Sequence, residues 1–562
     1  MSNDTITKLS STLDLRRGKT RSLMVVCASL ALITAATAQP FRYGWRNILV
    51  GTGANSDTAN AQIVDKSGNL YVLYTTVVGV QQNCILRKFT PLGAVTWSTE
   101  FEVAPGASRP DTGCGLALDS TGSPYASVGA PINSAATQAC LVKFSPTTGA
   151  VVFRKVFNSG ANAFFPRRIA IDSANNIIQA GGYGSNAREK FGILKWNSAG
   201  TLLWSNIYRP TTTTADTEAF GLTVSSTNDI FAGGYTNTSA HGQDGLIVKF
   251  RGTDGVAQWS SIVFGTALGR DIVRAITADS AGNAYAVGDT YVSSTNLFAF
   301  CRKLNGTTGA TIWQNTINSP SNNASTAIGV GLDPSGNVLV GGDFWGTNPR
   351  PDLFVQKINA TTGSQMFMTL INGLTDTVDI ASGFAVDRFG NSYVSGGSTP
   401  FTGATRLTDF LVARVSNSGV INWQYRYAQG FSSTLHDTPG GLAMDNLTGQ
   451  VYVTGDQVPN INADGKLLTM YQAPIAAANT YTMTKNTTLD SGTPGVMAND
   501  VWRLNCTTSI VTPPSNGTFS LATNGRFTYT PPTNFVGTVT FKYRLTRTGL
   551  TTSDATVTIR VN

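Results

Sequence analysis

Histidine is almost missing from this sequence: His241 and His436 are the only two in 562 residues. That excludes a multi-histidine metal centre and leaves little room for imidazole acid–base chemistry, so both are read as ordinary surface side chains. Charged residues make up only 13% of the chain and form no acidic or basic blocks, which argues against disorder and against a coiled coil. No stretch interleaves basic with aromatic residues, so nucleic acid is not an expected partner. A Gly-x-Ser-x-Gly elbow, a phosphate loop and HExxH are all absent, which removes the common signatures of hydrolases, nucleotide-binding enzymes and metalloproteases. No run reaches the roughly 20 apolar residues of a membrane helix, and the mature chain is expected not to insert into a bilayer.

Cysteine is scarce, and once Cys27 in the leader is set aside an odd number remains: Cys84, Cys114, Cys140, Cys301 and Cys506. None has CxxC spacing, so neither a metal knuckle nor a redox motif is indicated. One disulfide among Cys84, Cys114 and Cys140, or buried thiols throughout, are both open.

What is present begins with a leader. Arg16, Arg17, Lys19 and Arg21 precede the apolar run Leu23–Ile33, and Ala36-Thr37-Ala38 then supplies small residues before Gln39. That order marks a secretory signal over residues 1–38, cleaved between Ala38 and Gln39. Five basic and two acidic groups lie within it, so the formal charge of +8 falls to +5 in the remainder, a mild excess suited to solubility.

Beyond the leader, one phrase recurs: Asp-x-x-Gly-Asn-x-Tyr. Its copies start at Asp65, Asp119, Asp172, Ser225 (a worn copy), Asp279, Asp333, Asp387 and Asp445, a step of about 54 residues, near the range of units that stack. A second phrase trails it, an apolar strand carrying Lys88, Lys143, Lys195, Lys249, Lys303, Lys357 or Arg414. A third, Gly-x-x-x-aromatic, follows at one fixed offset: Gly93/Trp97, Gly149/Phe153, Gly200/Trp204, Gly255/Trp259, Gly309/Trp313, Gly363/Phe367 and Gly419/Trp423. Each unit reads as four short strands with alternating polarity and tight glycine turns. Low charge, 58 glycines and this pattern define an all-β chain and, with four-stranded blades, an eight-bladed β-propeller over residues 39–472. The eighth unit lacks its aromatic strand, whereas Trp45 stands 52 residues before Trp97 without strands of its own. The N-terminal strand is therefore expected to close the last blade and remove an open edge.

The repeat phrase followed by the lysine strand resembles the bacterial β-propeller repeat family known as SBBP repeats. Thr308-Gly309-Ala-Thr-Ile-Trp313 also resembles the tryptophan-docking turn of quinoprotein dehydrogenase-like propellers, a structural motif that does not by itself imply a quinone. Such an enzyme needs a calcium site with a catalytic aspartate and often adjacent cysteines, and no adjacent pair exists here.

After a linker at 473–479 the pattern changes. Gly495-Val-Met-Ala-Asn499-Asp500, Asn524-Gly525-Arg-Phe527-Thr-Tyr529, Asn534-Phe535 and Phe541-x-Tyr543 resemble cadherin-like bacterial immunoglobulin-type modules, which implies a small β-sandwich over 480–562. Alternating strands with turn signals point the same way. Family members commonly carry an acidic run after Ala-Asn-Asp that suits calcium. Here Val501-Trp-Arg-Leu-Asn-Cys506 stands in that place, and Asp500 is better read as capping a turn. No cofactor is expected.

In antiparallel four-stranded units the short uniform turns fall on one face. The connections of variable length, such as Thr236–Asp244, Tyr291–Leu297, Trp345–Asp352 and Thr399–Asp409, fall on the other, where a rigid scaffold presents binding loops. Eight residues before each turn position runs the column Asp57, Asp111, Phe164, Thr217, Asp271, Ser325, Asp379 and Asp437. Its five aspartates are the ligand-binding candidates on that face; the structural alternative is that each accepts backbone N–H groups where its strand begins. The resulting expectation is an exported bacterial surface or secreted protein without enzymatic activity, binding an extracellular protein or glycan, with the C-terminal module as spacer or adhesion domain. An oxidoreductase or lyase using the propeller funnel, and an envelope assembly scaffold, are the alternatives. N-terminal sequencing of the exported protein is expected to begin at Gln39; a retained Met1 would overturn the signal assignment.

Overall fold

The computed structural model describes residues 41–562 except 50–57, 79–80, 104–111, 132–136, 161, 185–189, 211–212, 239–241, 267–268, 294–295, 318–323, 346–350, 374–376, 401–407, 428–434, 446–448, 460–463, 473, 501–502, 504–505 and 548–551. The repeat phrase explains itself as a turn. Asp65 accepts the Ser67 and Asn69 amides on Oδ1, each at 2.9 Å, and the Asn69 side-chain amide on Oδ2 at 2.9 Å, an Asx turn that needs a short acidic side chain. Gly68 follows at φ +79°, and in the third and fourth copies Asn175 and Asn228 take the same left-handed position, as asparagine tolerates. The tyrosine hydroxyl returns to the same carboxylate, as in Tyr285 to Asp279 at 3.0 Å and Tyr393 to Asp387 at 3.1 Å. In the worn fourth copy the two roles of the aspartate are divided: the Ser225 hydroxyl accepts the Asp229 amide at 3.1 Å, and Asp229 pairs with Lys249 at 2.9 Å.

Eight sheets form among the described residues up to 472, each with four antiparallel strands, in chain order in all but the last; the fourth also takes up the short parallel strand Gly269–Arg270. Across strands two, three and four the register aligns aromatic, cation and aromatic: Tyr71↔Lys88↔Trp97, Phe231↔Lys249↔Trp259 and Tyr285↔Lys303↔Trp313 are equivalent rows. The ammonium groups lie over the second-strand rings, Lys88 at 4.9 Å from the Tyr71 centroid and Lys303 at 5.1 Å from Tyr285, so part of each cation's lost hydration is replaced by ring attraction.

In the first, third, fourth and fifth sheets the same row locks the sheet to the next through one shared carbonyl, and in the second and sixth the lysine alone makes the contact. Lys195 Nζ and Trp204 Nε1 both donate to the Gly252 carbonyl, at 2.7 and 3.3 Å. Lys249 and Trp259 share Gly306 at 2.8 and 3.1 Å, and Lys303 and Trp313 share Ala360 at 2.9 and 3.0 Å. The glycine of the third phrase is required because the preceding aromatic ring occupies the space a side chain would take: a β-carbon on Gly309 (φ +72°) would lie 2.6 Å from Trp259.

The expected equivalence of the repeat tryptophans holds in register but not in surroundings, and Trp423 is the member that departs. Its row, Tyr393↔Arg414↔Trp423, is aligned like the others, but the cation is an arginine. The longer guanidinium turns back into its own sheet, donating from Nε to the Tyr393 hydroxyl at 3.0 Å and from a terminal nitrogen to Asn422 at 2.8 Å. Trp204, Trp259 and Trp313 are half-buried, whereas Trp423, like Trp97 in the first sheet, is buried; what sets Trp423 apart is its arginine. It belongs to the apolar cluster of Tyr393, Val412, Val451 and Val453, with its ring 6.3 Å from that of Tyr393. Trp423 is therefore a core residue between the seventh and eighth sheets as much as a marker of the repeat.

Each sheet's first strand touches that of its successor, through Thr58–Val64, Thr112–Leu118, Ala163–Ile171, Thr213–Val224, Ile272–Ala278, Ser325–Leu332, Thr377–Val386 and Leu435–Met444, and the last touches Thr58–Val64 again. Phe41–Leu49, the strand containing Trp45, is the outer strand of the final sheet, paired from Phe41↔Gln472 to Leu49↔Gly465. Across that seam the Tyr452 hydroxyl donates to the Gly68 carbonyl at 3.1 Å and Gln450 to Pro91 at 2.7 Å.

The C-terminal unit pairs a four-stranded sheet (Asn479–Met483, Ser553–Val561, Gly537–Thr546, Thr507–Thr512) with a three-stranded one (Leu489–Asp490, Phe527–Thr530, Thr518–Leu521) over a core containing Val496, Phe527, Tyr529, Phe541 and Tyr543. The expected linker is shorter than its assignment to 473–479. The Ala476 amide donates to Ser553 at 3.0 Å and the Ala477 amide to Asp500 at 2.7 Å, so this stretch is tied into the module. Of the two readings left open for the cysteines, the structure has free thiols: Cys84, Cys140 and Cys301 are buried and Cys114 and Cys506 half-buried. Among the described residues no helix is long and apolar enough to cross a membrane.

Trp259→Ala removes both the ring over Gly309 and one of the two donors to Gly306. Chemical denaturation is expected to show a loss of about 2–4 kcal/mol, while Trp259→Phe, which keeps the ring, loses less.

Candidate functional site

The first strands and the connections around them carry most of the polar groups that no turn consumes. Of the five predicted ligand-binding aspartates, Asp57 and Asp111 lie outside the described residues, and Asp437 is placed by its backbone alone, opposite Gln457. Asp271 and Asp379 are 1% and 0% exposed. Asp271 accepts the Gly265 amide at 2.8 Å and the Tyr291 amide at 2.6 Å; Asp379 accepts the Gly373 amide at 2.8 Å. Both therefore fasten the end of the preceding sheet's outer strand to the start of their own. Ser325 does the equivalent work with Ala299 and Ile317, at 2.9 and 2.6 Å, and Phe164 fills the space over Gly192 with its ring. Asp271 and Ser325 thus turn their oxygens to backbone groups, whereas Asp379 keeps its second oxygen, Oδ1, buried without a hydrogen-bond partner among the described residues. His241 lies outside the described residues and His436 is in the last first strand.

The acidic groups that gather at this face stand mainly elsewhere, at the ends of second strands and the starts of third strands. Glu218, Asp244, Asp289, Asp343 and Asp409 are all buried. Arg274 grips Asp289 through two nitrogens, Arg167 reaches Glu218 of the next sheet at 2.6 Å, and Arg426 pairs with Asp409. Asp343 accepts Thr326 at 2.8 Å. Burial pushes its carboxyl up to about 6, helped by the Asp289 charge and opposed by Arg274; burial and the neighbouring Asp379 lift Asp352 to about 6 as well. The signals that could have revealed them are modest: Gly288-Asp289 and Gly342-Asp343 share a place in their repeats, and Asp244, Asp352 and Asp409 each stand five residues before the third-strand cation.

A second feature has no sequence signature at all. Every first strand carries a β-bulge at the same position, on Asn60, Cys114, Arg167, Phe220, Arg274, Ile328, Ser382 and Gly440. A bulge leaves one residue unpaired and re-aims its side chain, and here it does so eight times on the innermost strands. The residue after each bulge is small, Ala61, Gly115, Gly221, Ala275, Gly329, Gly383 or Gly441, with one exception, Arg168. Neighbouring first strands pack closely there: a β-carbon on Gly329 would lie 2.5 Å from Phe384, and one on Gly115 2.9 Å from Ile169. At the opposite face, a cavity of about 390 Å³ between sheets three and four is bordered by Asp172, Lys195, Asp229 and Gly252, residues of the sheet-to-sheet lock. Among the described residues no three His, Cys, Asp or Glu side chains converge as a metal site. In the C-terminal module Asp500 accepts the Ala477 amide and the Tyr543 hydroxyl, at 2.7 and 2.5 Å, as a cap does.

With this geometry in place, residues 258–294 match the model of the beta-propeller repeat, which covers the outer strand of the fourth sheet and the first two strands of the fifth. The four-stranded sheets are consistent with the blades of such repeats. Residues 471–562 match the bacterial cadherin-like domain, so the chain carries propeller repeats followed by that domain. No curated protein matches the sequence. Among solved structures, the quinohemoprotein alcohol dehydrogenase of Comamonas testosteroni is similar at 12% identity with a TM-score of 0.45, covering 78% of this chain and 77% of that one. The WD40 domain of SCAP from fission yeast is similar at 10% identity with a TM-score of 0.40, covering 77% and 98%. A protein of unknown function from Dyadobacter fermentans is similar at 10% identity with a TM-score of 0.34, covering 77% and 99%.

Asp343 makes stability at this face depend on pH. Its folded-state carboxyl titrates above its unfolded value, so between about pH 4 and 6 the native state binds more protons, and stability present at low pH is lost as pH rises through that window. Denaturation at about pH 4 and pH 6.5 is expected to show a loss of roughly 1–3 kcal/mol attributable to this group, and Asp343→Asn to flatten that slope. An unchanged slope in the variant would remove Asp343 as the cause.

Proposed function

We propose that the eight sheets form a closed eight-bladed propeller and that residues 479–562 form an immunoglobulin-like sandwich, in an exported, non-enzymatic binding scaffold of the bacterial surface or its surroundings. The observation that carries this reading is the asymmetry between the two faces. On the turn face, side chains are spent on the repeated lock, in which lysine and tryptophan share one carbonyl. On the loop face, the connections differ from sheet to sheet, buried carboxylates and arginines form an uneven charge pattern, and Ile380 stands 55% exposed beside Asp379. A rigid disc with one invariant and one variable face suits recognition, and exposed apolar residues among charge suit a protein or glycan partner. The cadherin-like domain supports placement at or outside the cell surface, where it serves as spacer or adhesion module.

Purified chain beginning at Gln39 is to be applied to glycan, cell-wall and surface-protein arrays, with calcium and with chelator. Binding is expected to at least one class, and Ile380→Glu on the loop face is expected to weaken it about tenfold. Binding indifferent to Ile380→Glu but abolished by charge changes on the turn face would overturn the assignment of faces.

A further inference from the structure

Asp379 is the member of the fastening column that is left incomplete. It is 0% exposed. Its Oδ2 accepts the Gly373 amide at 2.8 Å, but Oδ1 has no hydrogen-bond partner among the described residues. Asp271, in the equivalent place two sheets earlier, accepts an amide on each oxygen. A buried carboxylate oxygen left in this state is costly unless a polar or charged group answers it.

The register shows what shares its surroundings. Asp379↔Ser398↔Asp409 form one row across the first three strands of the seventh sheet, so their side chains lie on one face, and all three are buried. Asp409 is held by Arg426 of the fourth strand. The Ser398 hydroxyl, in contrast, has no partner among the described residues. Both unanswered oxygens are turned to one small space, which Gly373 leaves by lacking a side chain: a β-carbon there would press on Ser398 Oγ and lie 3.2 Å from Asp379 Oδ1. From the sixth sheet the third strand, Pro351–Ile358, packs on the first two strands of the seventh. Half-buried Asp352 near its start adds a second carboxylate, near enough that the Asp379 charge, after burial, raises it.

Arg426 is engaged by Asp409, which leaves two carboxylates and a hydroxyl for a ligand. Donors that are all oxygen, carrying two negative charges, fit a hard divalent cation better than a soft metal. Calcium accepts such irregular sets and completes them with backbone carbonyls and water. We propose that Asp379, Ser398 and Asp352 form a calcium-type cation site between the sixth and seventh sheets. The site does not rest on the binding reading of the loop face, since the metal is detected directly and needs no partner molecule.

The test uses the full mature chain, stripped with chelator and titrated calorimetrically with calcium chloride at fixed ionic strength, alongside thermal unfolding with calcium and with chelator. Saturable binding and a higher melting temperature in calcium are expected. Asp379→Asn keeps an oxygen for the Gly373 amide and sets an NH2 group where Oδ1 stands. It is expected to melt above the parent in chelator, to bind calcium about tenfold more weakly or worse, and to lose the rise that calcium gives the parent. Asp352→Asn, at a half-buried position that tolerates the change, is expected to weaken binding by a smaller factor and keeps the test open should Asp379→Asn not fold. Calcium taken up elsewhere in the chain, the C-terminal module included, would survive both substitutions. Parental affinity in either variant, or no saturable binding by the parent, would overturn the proposal.

Discussion

One carbonyl serving two donors holds this molecule together. In each lock a lysine of the third strand and a tryptophan of the fourth meet the same backbone oxygen of the following sheet, as at Gly252, Gly306 and Ala360. The arrangement solves three problems at once. It finds a partner for a buried ammonium, it satisfies an indole N–H, and it fixes the angle between sheets, because the indole can reach the oxygen only with its face on the neighbouring glycine. The aspartate turn completes the network from the other side, with Asp172 2.8 Å from Lys195 and Asp333 2.7 Å from Lys357. Ion pairs this deeply placed add little net stability by themselves; their contribution is a single permitted geometry, repeated.

Because that geometry is made by local phrases, it was open to inspection in the sequence. The aspartate, its glycine, the tyrosine, the lysine and the glycine–aromatic pair recur at constant spacing, and each has one structural reason to do so. The closing strand around Trp45 was legible for a related reason: one unit lacked an outer strand and one tryptophan lacked a unit. Spacing alone made Trp423 look like its counterparts; that it sinks into the core beside an arginine depends on what the neighbouring sheet places against it. The bulges were not legible, since asparagine, cysteine, arginine, phenylalanine, isoleucine, serine and glycine share no property that marks a bulge. The acidic column was visible as a column, but its role depends on which amides lie opposite, and Asp271 turned out to fasten Gly265 and Tyr291. The division of roles between Ser225 and Asp229, and the reach of Asp500 to Ala477, are likewise facts of three dimensions, with no counterpart in spacing.

The two faces thus express two kinds of constraint. On the turn face a substitution in the first, third, fourth or fifth sheet must satisfy the same oxygen, ring and glycine, which leaves little freedom there. On the loop face the fastening of one sheet to the next is met by aspartate, serine or a phenylalanine ring, so the requirement is for space filled and amides answered, with the chemistry free to differ. Buried carboxylates accumulate where that freedom exists, Asp289 and Asp343 near Arg274 and Glu218 beside Arg167.

The pairing of Phe41–Leu49 with Asp464–Gln472 has a consequence for the life of the chain. The strand made earliest is completed by one made more than four hundred residues later, so no partial product can finish the last sheet. Contacts of such sequence separation are slow to form, and they bear the loop-closure entropy of nearly the whole array. The molecule can therefore complete its last sheet only after synthesis has passed residue 472.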